Sequence, residues 1–336
     1  MKVFLIRPND AGQRLDRFVA KAMPSLPFSL IQKGLRTKKI KLNGKRATAG
    51  AILAAGQTVD VYLRESPARE GAQPWRLASW SGLDIIYEDG NVLLCNKEAG
   101  LTVHPDNNPA ADTLITRALA YLYASGQWDP DGENSFTPAL AHRLDRNTSG
   151  LVLAAKTAAA LRVLNQKFRN REIDKAYLCL VIGRPKPDAG TLRHYLKRDR
   201  ERCRVEVRPD RSDGAKTALT AYRVLGTHDG MSLVECRPLT GRTHQIRAQW
   251  AAVGHPLLGD GKYGAGSRDR DRNRDCNHNR DKPLGFSHQA LCAYRLSFAF
   301  TTPSGCLEYL RGKTFELPEV PFATDFAGWA GHRTRD

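Results

Sequence analysis

One carboxylate stands out by its setting. Asp145 lies in the run His142-Arg143-Leu144-Asp145-Arg146-Asn147-Thr148-Ser149-Gly150, between residues 137–140 and the apolar stretch 151–155. The pattern reads as strand, tight polar loop, strand. Thr148, Ser149 and Gly150 supply the turn, because hydroxyls bond nearby backbone and glycine accepts a positive φ. A carboxylate fixed between two strands has little freedom, which suits nucleophilic or general-base work. Turn formation alone also accounts for an isolated Asp beside Asn, Thr, Ser and Gly. The rest of the chain decides between these readings.

Four stretches in order resemble the RluA-type RNA pseudouridine synthases. The first is Lys97 with Gly100-Leu101-Thr102-Val103-His104-Pro105. The second is His142-Arg143-Leu144-Asp145 followed by Thr148-Ser149-Gly150-Leu151. The third is Lys175-Ala176-Tyr177-Leu178-Cys179-Leu180-Val181-Ile182-Gly183. The fourth is Leu239-Thr240-Gly241-Arg242-Thr243-His244-Gln245-Ile246-Arg247, then Gly254-His255-Pro256 and Leu258-Gly259-Asp260. Together they span most of the chain from about Asp84 to Phe300.

The resemblance implies isomerisation of uridine to pseudouridine. The N1–C1′ bond breaks, the uracil turns, C5 joins C1′, and the C5 proton leaves. No redox or phosphate chemistry occurs, so no cofactor and no metal are expected. Asp145 would be the catalytic carboxylate, ionised either to attack C1′ or to take the 2′ proton, and both routes stay open. An ionised Asp in a water-poor pocket needs a partner, and Arg247 is the expected one. Tyr177 would pack on the uracil and help remove the C5 proton. Arg143 would fill the gap left by the flipped base, since a planar guanidinium stacks and binds phosphate at once. His142 either orders the same loop or is a satisfied buried histidine. Leu144, Arg146, Thr148, Leu151, Arg242, His244 and Ile246 complete the expected substrate-binding set, with Leu151 and Ile246 as apolar wall.

The element carrying Arg247 is legible as a helix over residues 243–253. Thr243 is a candidate cap and Gly254 a stop. Ile246, Trp250 and Val253 form its apolar stripe, with Arg247 on the flank, roughly 100° round from Ile246. Two positions depart from the family pattern: Glu98 where proline is usual, and Gln249 where histidine is common. Both bear on expected substrate contacts.

The charge is strongly basic and uneven. The 336 residues carry +17, and residues 1–64, with thirteen Lys/Arg against three Asp/Glu, account for +10 of it. A field of that sign favours polyanions, nucleic acid above all. In this segment Leu15, Phe18, Val19 and Ala22 fall at helical spacing and Pro24 stops them. Ser29 is a candidate cap for a second helix, Asn43-Gly44 marks a hairpin, and 57–63 alternates as a strand. The arrangement resembles the S4 RNA-binding domain, with Arg14, Arg17, Lys33, Arg36, Lys38, Lys39, Lys41, Lys45 and Arg46 expected to meet phosphates. Residues 65–81 read as a linker and 82–330 as the catalytic domain. Residues 264–285, where Arg alternates with Asp and Asn, read as a flexible charged insert. Short strands mix with helical patches without regular alternation. The expected class is therefore α+β, with a mixed, largely antiparallel sheet behind a small S4-like α/β unit.

Other classes fit poorly. No apolar run spans a bilayer and the first seventeen residues lack a signal-peptide pattern, so a cytoplasmic protein is expected, without membrane partner or small-molecule cofactor and as a monomer. The seven cysteines have no paired spacing and read as reduced thiols. Cys276-Asn277-His278 is too sparse for a metal. A metal nuclease wants several clustered carboxylates, and a methyltransferase wants a glycine-rich loop after a first strand. The expected RNA is 23S ribosomal RNA of the large subunit. The alternatives are transfer RNA as substrate, or a non-catalytic RNA-binding or ribosome-assembly factor on the same fold.

Overall fold

A computed structural model describes residues 1–64, 74–76, 78–105, 112–199, 201–202, 204–264 and 286–332. Most of the expected linker, the Cys276-Asn277-His278 cluster and nearly all of the expected 264–285 insert lie outside the described residues.

The first 64 residues form a small unit with its own core. It runs β1 (Lys2–Leu5), α1 (Leu15–Ala22), α2 (Phe28–Arg36), β2 (Ile40–Leu42), β3 (Lys45–Arg46) and β4 (Thr58–Val61). The strands pair antiparallel in the order β1-β4-β2-β3. Leu15, Phe18 and Val19 of α1 and Ile31 and Leu35 of α2 bury against Ile40, Val59 and Val61. Asn43 and Gly44 take φ of 50° and 70°, as a two-residue hairpin requires. Ser29 is not the cap of α2. The helix starts two residues earlier, with Pro27 at its N-cap, φ −56°, and no side-chain cap bond. The ring presets φ, and proline has no N–H to satisfy.

The remainder is built on one large mixed sheet. Its elements are β5 (Asp84–Glu88), β6 (Val92–Lys97), α3 (Leu114–Ala124), β7 (Ala139–Leu140), β8 (Ser149–Ala155), α4 (Ala158–Arg169), β9 (Asp174–Ile182), β10 (Ala189–Asp199), β11 (Arg204–Arg208), β12 (Lys216–His228), β13 (Met231–Pro238), α5 (Gln245–Ala252), β14 (Leu291–Ser297), β15 (Thr314–Glu316) and α6 (Pro321–His332). The strand order is β11-β10-β12-β13-β9-β14-β8-β6-β5, with β7 against β8 and β15 against β14. The pairings between these strands are antiparallel except that of β14 with β8.

Strand periodicity splits the core into two layers. Leu93, Cys95, Val152, Tyr177, Cys179 and Val234 face α3 and α5. Val92, Leu94, Leu151, Leu153, Ala176 and Leu178 face the layer containing Leu164 of α4. Central strands are thus apolar on both faces, which explains their near-continuous hydrophobic runs.

The small unit is docked by a polar clamp. Asp10 is fully buried. Its carboxylate accepts from Asn134 Nδ2 at 2.7 Å and Ser135 Oγ at 2.6 Å. Asn9 donates to Glu133 at 2.6 Å and accepts from the Ala158 N–H at 3.1 Å.

Candidate active site

The loop between β7 and β8 carries Asp145 and is pinned from behind. The Thr148 N–H donates to the Asp145 carbonyl at 3.1 Å, closing the turn. The carbonyl of Arg146 accepts from the Gly100 N–H at 3.0 Å and from Lys97 Nζ at 2.8 Å. Lys97 is almost fully buried and also donates to the carbonyls of Glu98 and Leu101. Desolvation pushes its pKa down to about 8. Gly150 takes φ +113°, and a Cβ there would sit 2.3 Å from the Ala293 carbonyl oxygen. Only glycine lets β8 reach β14 at this point.

Helix α5 brings Arg247 to the loop. Its Nη1 lies 3.4 Å from Asp145 Oδ2. The rest of the guanidinium is committed to Asp260, with Nε–Oδ2 at 2.7 Å and Nη2–Oδ1 at 2.9 Å. The side chains of Arg247 and Asp260 are 8% and 0% exposed, whereas Asp145 is 25% exposed and open to the cleft. Burial works to raise the Asp260 carboxyl, but the Arg247 hydrogen bonds and charge outweigh it, and its pKa lies below the ordinary range. Arg247 is therefore held rigid by one carboxylate while it faces another. The sequence motif includes Asp260, but the pairing across thirteen residues is visible only in the fold.

Tyr177 on β9 is buried, and burial, with Asp145 adding to it, pushes its hydroxyl upward. The phenol is a donor at neutral pH. His244 lies with Nε2 3.9 Å from Asp145 Oδ2 and Nδ1 2.9 Å from the Tyr263 hydroxyl. Burial depresses its pKa to about 4 against the pull of Asp145, so the ring is neutral.

These groups floor a cleft of about 2200 Å³. Of the expected substrate residues, His142, Arg143, Leu144, Arg146, Thr148, Arg242, His244 and Ile246 line it. Leu151 does not. It is 1% exposed and points into the opposite core layer with Leu153, because alternate residues of β8 face opposite sides. His142 accepts from the Leu153 N–H at 3.2 Å through Nε2 and packs on Phe168, and burial drives its pKa well down. It is a loop-ordering histidine that stays neutral. Composition alone did not single out the cleft-lining Lys175, Arg169, Arg171, Arg198, Arg202, Arg204 and Arg237. The dense basic run around Arg198–Arg204 was the available signal.

Two expectations for this helix need correction. Thr243 is not the cap of α5; His244 is, in the left-handed region at φ 49° and without a side-chain cap bond. Gln245 does the bracing instead, accepting from the Arg242 N–H at 3.1 Å and the Thr240 hydroxyl at 2.8 Å. Val253 is 40% exposed and lies off the buried stripe. Gln249 is fully buried and ties α5 to the sheet, bonding the Thr220 hydroxyl and the Leu192 and Ala218 carbonyls. Glu98 pairs with Arg117 at 2.9 Å. Neither Gln249 nor Glu98 lines the cleft.

In the first unit Arg17, Lys33, Arg36, Lys38, Lys39, Lys45 and Arg46 are exposed, and Lys41 is partly so. Arg14 is also exposed, but its guanidinium is bidentate to the buried Asp16, at 3.1 and 2.7 Å. That leaves it less to offer a phosphate than the others.

Residues 91–252 match the model of the RNA pseudouridylate synthase family. The chain is 33% identical over 278 residues to ribosomal large subunit pseudouridine synthase C of Escherichia coli (strain K12), covering 80% of this chain and 82% of that protein. It is 33% identical over 267 residues to the uncharacterized RNA pseudouridine synthase YhcT of Bacillus subtilis (strain 168), covering 79% and 83%. The solved structure of human RNA pseudouridylate synthase domain containing 1 superposes with a TM-score of 0.51 at 26% identity, over 74% of this chain and 95% of that one. With a carboxylate–arginine–carboxylate cluster on the floor of a basic cleft and relatives matched over most of its length, this chain belongs to the RNA pseudouridine synthases.

Proposed function

We propose that this enzyme converts particular uridines of large-subunit ribosomal RNA to pseudouridine, with Asp145 acting on a uridine turned out of its stack. The observation that carries the reading is the buried Asp260–Arg247 pair aimed at the half-open carboxylate of Asp145. Arg247 sets a positive charge beside the carboxylate that both routes, at C1′ or the 2′ position, would use. We assign to Tyr177, which lines the same cleft, the packing of the uracil ring and a part in the late removal of the C5 proton. Arg143 is exposed at the cleft mouth, where a guanidinium can hold the space a flipped base vacates. The choice of ribosomal RNA rests on the names of the relatives and on a basic first unit. We take residues 1–64 as an S4-like module that contacts phosphates and residues 82–330 as the catalytic domain.

The test is to incubate the protein with unmodified large-subunit ribosomal RNA and map pseudouridine by carbodiimide labelling and primer-extension stops. Discrete new stops are expected. Asp145→Asn should remove them while RNA affinity stays within a few-fold. Stops on transfer RNA alone would replace the substrate. Stops that persist in Asp145→Asn would remove Asp145 from the reaction.

A further inference from the structure

Tyr263 lies outside the four sequence motifs, yet it touches Arg247, Asp260 and His244, three of the groups around Asp145. Its ring lies under the Arg247 guanidinium, 5.2 Å from the centroid. Its backbone N–H donates to Asp260 Oδ1 at 3.0 Å. Its hydroxyl accepts from the Val205 N–H at 2.8 Å and lies 2.9 Å from His244 Nδ1. The side chain is almost fully buried.

The hydrogen positions around this hydroxyl follow by elimination. A phenol has one O–H to give, and Val205 already occupies a lone pair. If His244 carried its proton on Nδ1, the Tyr263 hydrogen would be left without that acceptor in a buried site. The bare Nε2 lone pair would then face the Asp145 carboxylate. Both arrangements cost free energy. With Tyr263 donating to Nδ1, the proton sits on Nε2 and points toward Asp145. The Nε2–Oδ2 separation of 3.9 Å is too long for a direct hydrogen bond. One oxygen can still lie roughly 2.8 Å from both atoms, accepting from His244 and donating to Asp145. A ribose hydroxyl has that chemistry.

We propose that Tyr263 is a positioning residue that fixes the ring proton of His244 on Nε2, so that His244 and Asp145 together hold a ribose hydroxyl of the target nucleotide. This rests on the assignment of Asp145 to the reaction. The first measurement does not depend on activity. Imidazole ¹⁵N shifts of the RNA-free protein should show His244 as the Nε2–H tautomer, and as a mixture in Tyr263→Phe, which keeps the ring against Arg247. A proton on Nδ1 in the wild type would overturn the proposal.

The second measurement is a double-mutant cycle on wild-type-active RNA. Tyr263→Phe should lower kcat about tenfold with KM within about twofold, since one oriented hydrogen bond is lost. His244→Gln keeps an N–H donor but does not need Tyr263 to set its tautomer, so Tyr263→Phe should have no further effect in that background. An equal loss in both backgrounds would make Tyr263 a packing residue only. If the wild type modified no RNA, the functional reading would fail while the tautomer result still stood or fell alone.

Discussion

At the residue scale, the site is organised around unequal carboxylates. Asp260 is sealed in and bidentate to Arg247, whereas Asp145 is reached by one guanidinium nitrogen and stays partly open. The two cannot exchange roles, because only the open one has room for substrate. Asp260→Asn removes the charge that compensates a buried arginine. Loss of one partner of a buried pair is expected to cost about 3 kcal/mol, to be read as a lower urea midpoint. Turnover should fall as well, since Arg247 is freed to move away from Asp145. Unchanged stability would mean that water compensates Arg247 as well as Asp260 does.

At the element scale, the two halves of the large sheet meet where β14 runs parallel to β8, and Gly150 is the contact. Gly150→Ala puts a methyl against a carbonyl oxygen at a φ that side chains rarely adopt. A loss of about 3 kcal/mol or more is expected, with displacement of the Asp145 loop that β8 follows. A variant as stable as the wild type would show that the two strands part without cost. The exposed bases of the small unit make a different kind of prediction. Lys33 and Arg36 are one turn apart on α2. If each meets a phosphate, Lys33→Glu with Arg36→Glu should reduce the slope of log affinity against log salt by about 1.4. Binding titrations across a salt series check this, and an unchanged slope would remove α2 from the RNA contact. Substitution is a cleaner test than removing residues 1–64, because the Asp10 clamp to Asn134 and Ser135 would be broken with them.

At the scale of the whole molecule, buried neutral histidines couple stability to acid. His244 has its pKa near 4 in the fold against an ordinary value near 6.5, and His142 is depressed in the same direction. Between those values the unfolded chain binds protons that the folded one does not. Stability should therefore fall as pH drops from about 6.5 toward 4, and His244→Gln should flatten that fall. Urea unfolding at neutral pH and near pH 5 measures it. A rise in stability on acidification would contradict neutral burial of these rings. Charge frames the reaction as well: a cleft rimmed by arginine, in a chain that also carries a small basic unit, attracts RNA before any base is read.

Much of this was determined by the sequence itself, because it depends on order along the chain. Hydroxyls and glycine after Asp145 dictate a turn between strands. Helical spacing sets α1 and most of α5, and Asn43-Gly44 sets its hairpin. The basic balance sets the class of partner, and the four ordered motifs gave the family. The caps were less legible: Pro27 rather than Ser29, and His244 rather than Thr243, because a helix start depends on backbone angles that the surrounding fold imposes. Leu151 was misplaced because strand alternation says that neighbours face opposite layers but not which layer lines the cleft. Gln249 stands where the family pattern bears on substrate contacts, whereas the fold turns it inward to two strands, β10 and β12. Tertiary structure alone decided that Asp260 holds Arg247 and that Tyr263 meets His244. It also decided that Lys97 braces the Asp145 loop from forty-nine residues away. Each of these is a contact between segments whose separation in sequence carries no trace of their distance in space.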